Sequence, residues 1–339
     1  MFDPPSPLPS PVSLVDSFGR VHTSVRLSVT DRCNIRCFYC MPATGVQFFP
    51  RDQILSFEEI ERLANLLVRR AGIRDLRITG GEPLVRRELD HLIGRLASID
   101  GLEDLSLTTN GMLLAEQALT LRRAGLKRLN ISLDTLDPDT FLKISRRNGL
   151  QQTIEGIDAA IECGFESIKL NALAIRGISE PEVVRLLEFA LERGVVLRFI
   201  EFMPLDTDRK WQAEQVFSGD EILELVRLRF GKIEVLHRSD PSQPAEEFAL
   251  AGGRFGIIRS VTRPFCQSCN RLRITAEGSV RNCLFSERET PLRDRMRNGA
   301  SDDELLEQIQ NCVQAKAAAH GIQEEGFKAP ERPMYAIGG

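Results

Sequence analysis

The chain has 339 residues, more than one ordinary domain needs but compatible with one large α/β unit carrying a smaller appendage. Hydrophobic residues make up 42% and charged residues 27%, a soluble balance, and the net charge of −4 excludes a general nucleic-acid-binding surface, so any anion site must be local. No window approaches the ~18 consecutive apolar residues of a membrane span.

The opening MFDPPSPLPSPVSLVD lacks the basic-then-apolar layout of a secretory signal, and its prolines make residues 1–12 a flexible tail. The expectation is a cytoplasmic protein with no membrane partner, in which clustered cysteines hold metal or do redox chemistry rather than form disulfides.

From residue 25, β-rich runs alternate with amphipathic helical stretches. The runs are VRLSV at 25, LRIT at 76, LSLTT at 105, RLNISLD at 128, SIKLNALAI at 167 and VVLRFIEFM at 195. Between the first two, SFEEIERLANLLVRRAG predicts a helix opened by a Ser56/Glu59 capping box and ended by Gly72. Six strand-helix units in series predict a parallel sheet, wound as an open layer or a barrel, with the pattern weakening after about residue 205.

Parallel strands covered on both faces read as continuous apolar runs, whereas these alternate. Val25, Leu27 and Val29 oppose Arg26 and Ser28; Leu76 and Ile78 oppose Arg77; Leu129, Ile131 and Leu133 oppose Arg128, Asn130, Ser132 and Asp134; Lys169 and Asn171 lie between Ile168, Leu170 and Ala172; Arg198 lies between Leu197 and Phe199. Side chains switch faces at each residue, so the apolar set packs on helices and the polar set shares the other face. A curled sheet makes that face a common lumen. Each cation there has two readings, a strand-end ion pair with a carboxylate such as Glu82 or Glu201, or a ligand for a polyanion. Four together, Arg26, Arg77, Lys169 and Arg198, favour the polyanion, because uncompensated interior charge costs several kcal/mol.

Cys33, Cys37 and Cys40 follow the first strand in a C-x3-C-x2-C spacing, among the loop formers Thr30, Asp31, Asn34 and Pro42. Structural zinc takes four protein ligands, whereas three thiolates around a four-iron cluster leave one iron free. A second set, Cys266, Cys269 and Cys283, has the spacing C-x2-C-x13-C, with a strand, a turn at Glu277-Gly278 and a returning strand between the last two. Here a zinc ribbon completed by His237 or His320 stays open beside a second incompletely ligated cluster. Cys163 and Cys312 fall in helical stretches without clustered partners.

The first cysteine spacing, with Tyr39 before its last member, resembles the signature of radical S-adenosylmethionine (SAM) enzymes, and TGGEP at 79–83 resembles their glycine-rich segment that receives the methionyl amino group. Together with the second cysteine set, the R-x-R of Arg271 and Arg273, and the terminal IGG, the chain from about residue 13 to 339 resembles the GTP 3′,8-cyclases, which open molybdenum cofactor biosynthesis.

That resemblance implies an incomplete (βα)6 radical SAM barrel over 13–205, a smaller C-terminal α+β domain over 206–330 with an auxiliary Fe-S cluster, and a tail at 331–339. It implies two 4Fe-4S clusters and SAM as cofactors, with Tyr39, Gly81, Thr108, Ser132 and Met203 lining the SAM site. It implies GTP as substrate, its phosphates facing Arg26, Arg77, Lys169 and Arg198, with Arg271 and Arg273 nearby, and Gly338 and Gly339 reaching into the catalytic pocket. A 5′-deoxyadenosyl radical takes hydrogen from C3′, and the sugar radical closes on guanine C8 to give 3′,8-cyclo-7,8-dihydro-GTP. The implied partners are a second copy of the chain, an electron donor, and a downstream cyclic pyranopterin monophosphate synthase. The pattern departs from relatives at Asp75, where they commonly carry lysine, and Arg74 should point to the other face. The competing readings are a peptide-modifying radical SAM maturase and a zinc-stabilised interaction module.

Overall fold

A computed structural model describes residues 12–206, 208–238 and 240–338; most of the proline-rich head and Gly339 lie outside the described residues. Six strands run in chain order, β1 (Ser24–Ser28), β2 (Asp75–Thr79), β3 (Asp104–Thr109), β4 (Arg128–Ser132), β5 (Ser167–Ala174) and β6 (Val196–Glu201). Each pairs parallel with the next. Helices intervene at α1 (Phe57–Ala71), α2 (Leu89–Ala97), α3 (Leu114–Arg123), α4 (Pro138–Ser145), α5 (Leu150–Glu162) and α6 (Glu182–Glu192). Ser56 and Glu59 form the expected reciprocal cap on α1, and Gly72 closes it in the left-handed conformation at φ 69°. Ile60, Leu63, Ala64, Leu67 and Ala71, spaced three and four apart, are its buried face.

The apolar alternates of the strands, among them Val25, Leu27, Leu76, Ile78, Leu129 and Ile131, join these helix faces in one core. Their polar alternates therefore turn inward, away from the helices.

Beyond residue 205 the chain adds helix α7 (Gly219–Phe230) and then β7 (Glu234–Val235), β8 (Glu246–Leu250) and β9 (Gly253–Ile258). There follow β10 (Arg271–Ile274), β11 (Ser279–Arg281) and β12 (Thr290–Pro291), and helices α8 (Arg293–Arg297), α9 (Asp302–Gln314) and α10 (Met334–Ile337). These strands form no separate sheet. β9 pairs parallel with β6 and β10 pairs parallel with β1, giving one twelve-stranded sheet in the order β12-β11-β10-β1-β2-β3-β4-β5-β6-β9-β8-β7. The C-terminal region thus extends the barrel sheet at both edges. No helix among the described residues is long and apolar enough to cross a membrane.

Candidate active site

A cavity of about 320 Å³ occupies the lumen, and both cysteine sets line it. They enter from opposite ends. The first set follows β1, whereas Cys269 precedes β10, which runs parallel to β1 with Arg271 opposite Ser24. The antiparallel return of β11 brings Cys283 back to the same end, as the predicted strand-turn-strand requires. The five residues of β1, at ~3.3 Å rise each, put roughly 13 Å of strand between the two ends.

The first cysteine loop is held by the glycine-rich segment crossing it. Gly81 N donates to Thr30 O at 2.7 Å and Glu82 N to Arg32 O at 2.7 Å. A Cβ on Gly81 would sit 2.4 Å from Arg32 O, so the glycine is required by the close approach of two backbones. Glu82, fully buried, accepts from Leu84 N, Thr109 Oγ1 and Asn110 N, and burial raises its carboxyl to about 7. Asn110 in turn bonds Asn34 inside the loop at 2.7 Å.

Burial, then Glu82, raises the Cys33 thiol to about 11. Burial is also the main cause of the higher values of Cys37, with Asp134 and the neighbouring sulfurs adding to it, and of Cys40, with Cys33 adding to it. Three crowded thiols that resist ionisation are the state a cationic metal core reverses. Among the described residues, no three His, Cys, Asp or Glu side chains converge on a single-ion position. A tetrahedral zinc with bonds of ~2.3 Å needs such convergence. A multi-iron cluster bound through separate irons accepts a wider spread.

The second set is electrostatically different. Burial opposes ionisation of Cys269, but Arg271 and Lys316 overcome it and bring the thiol down to about 6. Lys316 Nζ donates to Cys269 Sγ at 3.4 Å and to Arg271 O at 3.0 Å. Neither histidine is available as a fourth ligand. His237 is exposed beside edge strand β7. His320 lines the cavity, but its Nε2 faces Ser260 O at 3.1 Å and its Nδ1 accepts from Ile322 N at 3.1 Å.

Between the two ends stand the cations. Register places Arg281, Arg273, Arg26 and Arg77 side by side on four adjacent strands. Like charges directly opposite are destabilising. Arg281, outside the cavity lining, is offset by Glu289, whereas among the described residues no carboxylate pairs with Arg26, Arg77, Arg198 or Arg273. Arg77 Nε donates to Ser106 Oγ, Arg198 to the side-chain oxygens of Asn171 and Asn130, and Arg273 to Gly338 O. Glu82 is engaged as above, and Glu201 accepts from Gly219 N, Val261 N and Thr262 N. Burial followed by Arg271 brings Arg273 down to about 9, and burial followed by Arg77 and Arg128 does the same to Arg198. Gly256 opposite Arg198 gives that side chain room, since a Cβ there would lie 3.2 Å from Arg198 Cγ.

Arg26, Arg77, Arg198, Arg271 and Arg273 line the cavity, as do Tyr39, Gly81, Thr108, Ser132 and Met203. Lys169 is not among the lining residues. It is half-buried in register with Asn130, and burial followed by Arg198 lowers it to about 8. Gly338, at φ 91°, wedges between β1 and β2, where a Cβ would meet Ser28 Cβ at 2.8 Å and Thr79 Oγ1 at 2.9 Å. Gly339 lies outside the described residues. Asp75 is half-buried opposite Asp104, while Arg74 is exposed and pairs with Glu103, pointing away as expected.

Sequence reasoning put Asp134 on the polar face but gave it no role; it accepts from Tyr39 Oη at 2.7 Å and Leu173 N at 2.8 Å and lines the cavity, whereas Lys316 was missed altogether. Asp134 continues the polar alternation of β4, which is what made it visible; Lys316 sits alone in coil after α9 and carries no periodic signal.

The Radical SAM superfamily model matches residues 27–190, and the Molybdenum Cofactor Synthesis C model matches 195–322. Among solved structures, SuiB from Streptococcus suis, determined with bound S-adenosylmethionine, aligns with a TM-score of 0.61 at 11% identity, covering 91% of this chain and 67% of that one. The anSMEcpe protein with bound AdoMet aligns at 0.55 and 15% identity, covering 83% of this chain and 82% of that one. Both likenesses are of fold. The two family models together define a radical SAM protein with a molybdenum cofactor synthesis C-terminal region, a class that implies S-adenosylmethionine and an iron–sulfur cluster. The GTP 3′,8-cyclase of Rhodopirellula baltica is 63% identical over 339 residues, covering 99% of this chain and 94% of that protein. That of Streptomyces coelicolor is 43% identical over 328 residues, covering 96% of both. The chain belongs to the GTP 3′,8-cyclase family.

Proposed function

We infer that the chain converts GTP to 3′,8-cyclo-7,8-dihydro-GTP in the first step of molybdenum cofactor biosynthesis, using SAM and two 4Fe-4S clusters. The observation that carries this reading is the placement of two three-thiol sets at opposite ends of one cavity with a row of arginines between them. Cys33, Cys37 and Cys40 hold the first cluster, and Cys266, Cys269 and Cys283 the second. When bound, the first cluster and SAM supply a 5′-deoxyadenosyl radical that takes hydrogen from C3′ of GTP before the sugar closes on C8.

The protein's part is position and charge. Glu82 receives the amino group of SAM, and Tyr39, Gly81, Thr108, Ser132 and Met203 line its site. Arg26, Arg77, Arg198 and Lys169 offset a triphosphate of close to four negative charges. Arg271 and Arg273 stand by the reacting end, with Arg273 tied to the Gly338 carbonyl. Occlusion of the lumen strengthens each contact by excluding water. In this reading the barrel occupies 13–205, the C-terminal region 206–330 and the tail 331–339. The protein works in the cytoplasm as a homodimer, takes electrons from a separate donor, and passes its product to cyclic pyranopterin monophosphate synthase.

Reduced, anaerobically reconstituted protein incubated with SAM and GTP tests the proposal. About eight irons per chain, 5′-deoxyadenosine and a cyclised nucleotide are expected, and Cys33→Ala abolishes both products. Formation of 5′-deoxyadenosine with GTP left intact refutes the substrate, as a peptide-modifying maturase would show. Bound zinc without iron refutes the chemistry.

A further inference from the structure

The row of inward-facing positions does not end at Arg77, although Arg128, like Lys169, is not among the residues lining the cavity while it is held by Asp104. Ser106 pairs with Arg77 on one side and with Arg128 on the other, so Arg128 stands two strands from Arg77 at the same height. At ~4.8 Å between strands the two Cα atoms are roughly 10 Å apart, within reach of one polyanion held by two long side chains. Arg128 shares its face with Asn130, which accepts from Arg198, while Leu129 and Ile131 turn outward into the core. The field of Arg128 is felt by Arg77, Lys169 and Arg198, each of whose side chains it pushes toward the neutral form.

Its carboxylate partner is weakly placed. Arg128 Nη1 lies 3.4 Å from Asp104 Oδ2, with the arginine side chain 36% exposed. Asp104 is also in register with Asp75, whose carboxyl is raised by burial and then by Asp104 itself. The ion pair is therefore long, half-wet and worth little. A phosphate offers two-pronged, charge-assisted hydrogen bonding in its place. Along the sheet, Arg128 is the arginine of this row furthest from β10 and the second cysteine set. A nucleotide whose phosphates run along the row away from that set presents its terminal phosphate here.

We propose that Arg128 leaves Asp104 to bind the terminal phosphate of a nucleoside triphosphate, making it the residue that distinguishes a triphosphate from a diphosphate. This rests on the reading of GTP as substrate. The competing role is a purely structural tie between β3 and β4.

The test is equilibrium binding of GTP and of GDP, without magnesium, to reconstituted wild-type protein and to the Arg128→Ala, Arg128→Lys and Asp104→Asn variants. Arg128→Ala is expected to weaken GTP binding at least tenfold and GDP binding less than threefold. Arg128→Lys recovers part of the discrimination, and Asp104→Asn, by freeing the arginine, keeps or tightens GTP binding. The GTP/GDP ratio is measured within one preparation, so a partly folded variant does not distort it. An unchanged ratio in Arg128→Ala, with wild type binding GTP, overturns the role of Arg128 alone. Wild type that binds neither nucleotide overturns the substrate reading and this inference with it.

Discussion

Replacing Gly81 by alanine probes the contact between the glycine-rich segment and the first cysteine loop. The added Cβ would lie 2.4 Å from Arg32 O, 2.7 Å from Arg32 C and 2.8 Å from Asp31 O. All three are backbone atoms, so no side-chain rotation relieves them, and the segment must move about 1 Å to reach ordinary contact. Movement on that scale breaks the hydrogen bonds from Gly81 N to Thr30 O and from Glu82 N to Arg32 O, each 2.7 Å. At about 1 kcal/mol apiece, plus strain in what stays packed, the loss is ~2–3 kcal/mol. A melting temperature lower by ~5 °C is expected, together with loss of SAM binding, because Glu82 is carried on the displaced segment. The control is Gly94→Ala within α2, where the nearest outside atom is Ala124 O at 3.9 Å. Alanine there should be neutral or stabilise by ~0.5–1 kcal/mol. Calorimetry and equilibrium dialysis with labelled SAM read both effects. Wild-type melting and SAM affinity in Gly81→Ala would refute the idea that backbone approach is why this position is glycine.

Two further predictions follow the titrating groups of the cavity. Lys169 is lowered to about 8, and an anion binds its charged form, so GTP affinity is full below pH 7 and falls as pH rises through 8. The expected loss is about tenfold between pH 7 and 9, abolished in Lys169→Arg, whose charge persists; equal pH profiles for the two proteins would remove Lys169 from the phosphate site. Glu82, raised to about 7, has the opposite sign: an ammonium group binds its ionised form, so affinity is lost as pH falls. SAM binding to the reconstituted protein should weaken about eightfold from pH 7.5 to 6. The same profile in Glu82→Gln would assign that proton elsewhere.

How much of this was legible in the sequence depended on whether the signal was local. The α1 cap needs only Ser56, Glu59 and Gly72, and the inward face of each barrel strand needs only alternation. The first cysteine set is eight residues long, and its spacing survives without a fold. What the sequence withheld is register between distant segments. Arg26 and Arg273 are both inward arginines, but that they stand side by side depends on β10 pairing with β1 across nearly the whole chain. The same is true of β9 on β6, because the strands after residue 205 pair as local hairpins and only β9 and β10 take a second, distant partner. Arg128 was visible as a member of the polar face. Its place among the phosphate-facing cations emerged only once Ser106 stood between it and Arg77.

The two-sided attachment of the C-terminal region also explains how the second cysteine set is held at a fixed place. The segment from Ile258 on β9 to Arg271 on β10 bridges the two outer strands of the barrel, and Cys266 and Cys269 ride on it. Glu201, at the end of β6, grips one side of this bridge through Val261 N, Thr262 N and Thr262 Oγ1. Arg20, just before β1, grips the other by donating to Cys266 O and to the carbonyls of Ala317 and Ala318, while Asp16 fixes the guanidinium from behind. Lys316 then ties Cys269 Sγ to Arg271 O at the point where β10 begins. Both anchors belong to the barrel, so a force that opens the sheet between β10 and β1 moves the second set relative to the first. The chain therefore has a mechanical reason to place its last sheet strands on the barrel's own edges: an independently folded appendage would leave the separation between the two thiol sets to a linker, whereas shared hydrogen-bonded strands fix it to within the stiffness of a β-sheet.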